Sequence, residues 1–85
     1  MNIEKIEKGI ESYNKYRKNL VRATLIDSDR DGFKVRFEGN FCQYCGMDEY
    51  LHDLVYELER LGLEAKLTGY ETSENDVFIA EYKMI

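Results

Sequence analysis

Proline is absent from this 85-residue chain, histidine occurs once and cysteine only twice. With a single histidine, His52, no serine–histidine–acid set can be read from the sequence, and the chain points away from an enzyme built on that arrangement. Without proline, no cis-proline can shape a site. There is no long apolar run, so nothing is expected to span or partner a membrane. No charged, apolar and small-residue succession at the start suggests a secretory signal. With only two thiols besides, the expected location is cytoplasmic, in a reducing compartment.

Basic excess is also missing. The net charge is −5, and it is unevenly placed. Residues 1–22 carry six Lys/Arg against three Asp/Glu, a surplus of 3, while residues 23–85 carry six against fourteen, a deficit of 8. An acidic body argues against nucleic acid as a partner, because phosphate contacts need a basic face. The cluster Lys15, Arg17, Lys18 and Arg22 reads as the solvated side of a helix and its exit. Charged residues make up 34% of the chain, a share that suits ion-pair-rich surfaces and resembles archaeal thermophile usage. At this length one α+β domain spanning 1–85 is expected, with a small core.

The hydrophobic pattern gives the order αββαββ. Ile3, Ile6, Ile10, Tyr13 and Leu20 recur at helical spacing and predict a helix over 3–20. Residues 21–26 read as a strand, and 33–38 as a clearer one in which Phe33, Val35 and Phe37 alternate with Lys34, Arg36 and Glu38. Asp31-Gly32 between them is a hairpin signal. A second helix is expected from about Asp48, as N-cap, to Leu61, with Gly62 just past its end. Its stripe is Leu51, Leu54, Val55, Leu58 and Leu61. Residues 63–70 and 77–84 read as two further strands around a turn at 73–76. Two helices covering one face of a four-stranded sheet make a two-layer sandwich; moving the last strand to the front would give the ferredoxin-like order, and a mixed sheet joining the two ββ units in another strand order is the alternative. Glu49, Asp53 and Glu57, four apart on the second helix, read as a solvated acidic stripe, and the seven tyrosines as core or sheet residues.

Two motifs carry chemistry. Asp27-Ser-Asp-Arg-Asp-Gly32, with Glu38 six residues beyond the glycine, fits the calcium-loop pattern D-x-[DN]-x-[DN]-G-x₅-E. Three carboxylates at alternate positions suit a hard cation such as Ca²⁺. The alternation of 33–38 conflicts with the full loop, since an extended strand would carry Glu38 roughly 17 Å from Phe33. That leaves Asp27, Asp29 and Asp31 as candidate ligands of a weak divalent-cation site, and an ordinary polar turn as the other reading. The second motif is Cys42-Gln-Tyr-Cys45, between a strand and a helix. It reads as a redox pair with lowered thiol pKa, as half of a Zn²⁺ site to be completed by His52, Asp48 or Asp53 or by the same cysteines of a second copy, or as two inert small residues.

The Cys42–Cys45 string resembles the glutaredoxin C-P-Y-C site over some 20 residues. Gln43 stands in place of the proline, the facing cis-proline is missing, and the αββ start departs from that fold's βαβ start. Taken whole, the element order, the DSDRDG loop and the composition resemble a group of small archaeal, methanogen-type αββαββ proteins associated with calcium binding. That resemblance implies a calcium-binding α+β protein of unassigned cellular role. It carries over only to Asp27, Asp29 and Asp31, leaving Cys42 and Cys45 unplaced. The further alternative is a protein-interaction module that takes no metal.

Overall fold

The structure, a computed structural model of the chain, describes residues 3–17, 21–39, 47–74 and 76–85. The elements run α1 (Ile3–Arg17), β1 (Val21–Ser28), β2 (Gly32–Gly39), α2 (Met47–Arg60), β3 (Ala65–Glu74) and β4 (Val77–Met84). This is the α+β order αββαββ expected from the pattern. The four strands form one antiparallel sheet in the order β1-β2-β4-β3. Counting β4 as the first strand turns this order into that of a ferredoxin-like sheet, so the arrangement is the permuted form. The segment from β2 through α2 to β3 then forms a split crossover, with β4 lying between the two strands it joins.

One face of the sheet carries both helices. Val35 and Phe37 of β2 stand beside Ala80 and Phe78 of β4 in the register, and all four are buried. Ile6, Ile10 and Tyr13 of α1 and Leu51, Leu54, Val55 and Leu58 of α2 close over them in a single apolar cluster. Each such burial contributes roughly 1.5–3 kcal/mol. Apolar residues stand on both phases at the start of β4: Phe78 and Ala80 on the helix side, and Val77 and Ile79 on the other face, where Val77 is buried and Ile79 half-buried. Tyr13 meets Phe37 edge-on at 5.6 Å, while Phe33 stacks on Tyr82 at 5.0 Å with 11° between the rings.

Hydroxyl groups tie the layers together. Tyr82 donates to the Leu51 carbonyl at 2.7 Å and Tyr13 to the Tyr50 carbonyl at 2.8 Å, so both buried phenols are satisfied on α2. Burial pushes the Tyr82 phenol well above its ordinary range, with Tyr13 adding to the effect. Tyr16 and Tyr56 are exposed instead, and so lie outside the core role expected of the tyrosines. The acidic stripe of α2 also departs from a solvated face at one end. Glu57 is buried, accepts a hydrogen bond from Ser12 at 2.9 Å, and lies 3.9 Å from Arg60. The crossing of α1 and α2 covers it, which spacing along one helix cannot show.

Asn14 links α1 to the outer edge of β1. Its Nδ2 donates to the Ala23 carbonyl at 2.9 Å, and its Oδ1 accepts from the Ala23 amide at 2.7 Å. The side chain thus replaces the neighbouring strand that an edge residue lacks. Asn14→Ala removes both bonds and is expected to lower stability by about 1–2 kcal/mol in a urea titration. Unchanged stability would mean that water serves this edge equally well.

Boundaries shift where pairing outlasts the alternation. β1 continues to Ser28, two residues past expectation, because a bulge at Ile26 resets the register so that Asp27 pairs with Lys34 and Ser28 with Phe33. β3 begins at Ala65 rather than at 63 and runs on to Glu74. α2 ends at Arg60, with Gly62 at φ 81° just beyond it, as a C-terminal cap glycine should be. Among the described residues, no helix is long and apolar enough to cross a membrane.

Candidate functional site

The β1–β2 connection leaves only Asp29, Arg30 and Asp31 between the strands. Its geometry comes from aspartate chemistry. The Asp29 amide donates to the Gly32 carbonyl at 2.8 Å, closing the turn. Asp29 Oδ1 accepts from the amides of Asp31 and Gly32 at 2.8 and 2.9 Å, an Asx-type turn that fixes the backbone from the side chain. Asp27 Oδ1 accepts from the Ser28 amide at 2.9 Å. The tip is also anchored to the rest of the sheet, for Asp31 offers its carbonyl to the Met84 amide at 2.7 Å.

Gly32 is required by this anchoring. A Cβ there would lie 2.1 Å from the backbone oxygen of Tyr82, where no flexible side chain could yield. Its place in the calcium-loop pattern therefore has a structural cause independent of any cation.

The tip borders an open cleft of about 380 Å³. Asp27, Asp29 and Asp31 line it with Glu81 of β4, and Lys34 and Lys83 line it too. Four carboxylates against two ammonium groups leave a formal charge of −2. Among the described residues, none of the three aspartates takes part in an ion pair within 4 Å. All three are exposed, so Asp27 and Asp31 can rotate while Asp29 holds the turn. As the side chains stand, no group of three or more His, Cys, Asp or Glu among the described residues is arranged to hold a metal ion.

Glu38 is far from this cleft. It sits near the other end of β2, beside Arg22 and Val77 in the register, with its carboxylate 3.1 Å from Arg36. The structure thus brings Asp27, Asp29 and Asp31 to one place and leaves Glu38 out. Asp27 stands in the paired end of β1 rather than in the loop, opposite Lys34 and one pair before Ser28–Phe33. Glu81 and Lys83 belong to the cleft only through the pairing of β2 with β4, and no signal in the sequence near residue 30 could have pointed to them. Cys42 and Cys45 lie outside the described residues. His52 is exposed on α2, in a shallow depression with Glu49, Asp53 and Tyr56.

No protein-family model matches the chain, and no curated protein matches it.

Proposed function

We propose that the protein binds a divalent cation weakly, Ca²⁺ before others, at the tip of the β1–β2 hairpin. The observation that supports this is the set of three exposed aspartates on one cleft, none of them in an ion pair among the described residues. An ordinary turn has use for one capping carboxylate, and Asp29 fills that role. Asp27 accepts from the adjacent Ser28 amide, and it and Asp31 raise the local negative potential further. Asp29 can keep its turn through Oδ1 and offer Oδ2 to an ion. Asp27 and Asp31 swing in from either side, and water fills the remaining positions of a shell of six to eight oxygens. Few protein ligands and two nearby lysines put the affinity in the weak range, about 10⁻⁴–10⁻³ M.

Asp29→Asn keeps an oxygen for the turn, and Asp31→Asn keeps the size of the side chain. The double variant should therefore fold, and should lose the Ca²⁺-dependent amide shifts that the wild type shows at residues 27–32. Equal shifts in the double variant would remove the proposal, as would a wild-type spectrum that Ca²⁺ leaves untouched.

A further inference from the structure

The sheet has a second face that neither helix covers. Its residues follow from the register in rows across β1, β2, β4 and β3. One row is Asp27, Lys34, Glu81 and Gly69; the next is Thr24, Arg36, Ile79 and Glu71; the third is Arg22, Glu38, Val77 and Glu74. Lys83 and Lys66 pair beyond the first row. The face divides at the seam between β2 and β4. On the β1–β2 side Arg22, Lys34 and Arg36 outweigh Asp27 and Glu38 by one positive charge. On the β4–β3 side Glu71, Glu74 and Glu81 outweigh Lys66 and Lys83 by one negative charge. In a chain of net charge −5, this face is neutral as a whole and split into opposite halves.

From this pattern we infer that the open face binds a second copy of the chain, about a two-fold axis running along the strands over the β2–β4 seam. Such an axis lays each β2 over the other copy's β4 and each β1 over its β3. Lys34 then faces Glu81 of the second copy and Arg22 faces its Glu74, each contact occurring twice by symmetry. Arg36 lies over Ile79 with its aliphatic stem, and Thr24 meets Glu71. Asp27 faces Gly69, whose missing side chain leaves a groove of about 230 Å³ with Lys34 on its wall. No like charges oppose one another directly in any of the three rows.

Among the described residues, ion pairing within one chain leaves Arg22, Lys34, Glu74 and Glu81 available. Among the described residues, the face closes one ion pair of its own, Arg36–Glu38 at 3.1 Å. Four strands about 4.8 Å apart and about eight residues long make a flat area on the order of 500 Å². Side-chain relief brings this toward the roughly 800 Å² that each partner gives to a standard interface. Two sheets stacked about 10 Å apart leave room for lysine and glutamate side chains to meet between them.

Sedimentation equilibrium on wild type, K34E and E81K, each alone and then as an equimolar mixture of the two variants, tests the inference. The wild type should be a reversible dimer that weakens with salt. Each variant alone places like charges opposite each other twice, and should associate at least about tenfold more weakly. The mixture should dimerise again, because the altered position 34 of one variant then faces the altered position 81 of the other, and the unaltered pair faces itself. Restoration on mixing cannot arise from contacts inside one chain, nor from misfolding of either variant. A monomeric wild type, a dimer indifferent to both substitutions, or a mixture that stays monomeric would each overturn the inference.

Discussion

Tyr82→Ala is expected to lower the stability of this protein by about 3–5 kcal/mol, a large share of what a domain of this size has to lose. Tyr82 is almost wholly buried, stacks on Phe33 and reaches through the core to donate a hydrogen bond to the Leu51 carbonyl of α2. Truncation removes the ring from the seam between β2 and β4 and leaves a cavity that the central strands are poorly placed to fill. Tyr82→Phe keeps the ring and loses only the hydroxyl, so it should cost about 1 kcal/mol. Urea titrations of the three proteins would separate the two contributions. A small loss for the alanine variant would mean that the core can collapse around the gap.

The buried phenol also sets an alkaline limit. Its pKa is raised in the folded state, so its contribution is fully present below about pH 10, where a tyrosine in the unfolded chain ionises, and declines above it. The stability of Tyr82→Phe should therefore fall less steeply than that of wild type between about pH 10 and 11. Parallel curves would show that other groups govern the alkaline loss.

Gly32→Ala is the second large effect, at roughly 3 kcal/mol. The added methyl group would meet the Tyr82 carbonyl oxygen, a backbone atom in a paired central strand. Relief requires β2 and β4 to separate where Gly32 pairs with Lys83, and the Asp31–Met84 hydrogen bond lies beside that point. The loss should appear equally with and without Ca²⁺, as a lower urea midpoint. A variant as stable as wild type in metal-free buffer would mean that the glycine serves the loop's ligand role rather than the sheet. At Gly62 the requirement is different, since open space surrounds it and only its positive φ favours glycine.

Much of the fold could be read from periodicity. The strand of 33–38 alternates cleanly because its two faces meet different surroundings, the helices on one side and a face that neither helix covers on the other. The helical stripe of α2 is equally legible, since Leu51, Leu54, Val55 and Leu58 are all buried. The same alternation set Glu38 apart from the aspartates, and the structure places it at the far end of β2. Less legible were features that depend on a neighbour distant in sequence. The bulge at Ile26 carried β1 past its expected end because β2 goes on pairing with it. The buried Glu57 depends on Ser12, 45 residues away. The cleft at the tip depends on β4 lying next to β2, which brings Glu81 and Lys83 to a loop some fifty residues earlier.

The acidic tip divides along the same line. Local chemistry was sufficient to place a turn at Asp29–Gly32, because aspartate caps its own backbone and glycine tolerates close approach. Three carboxylates at alternate positions were visible in the sequence as well. That the Tyr82 carbonyl leaves no room for a side chain at position 32, that Asp31 is tied to Met84, and that two lysines share the rim became determined only when β4 entered the sheet between β2 and β3. Periodicity records which side of a strand meets the core. It carries no information about which strand stands beside it, because that choice is made by the burial of all six elements together.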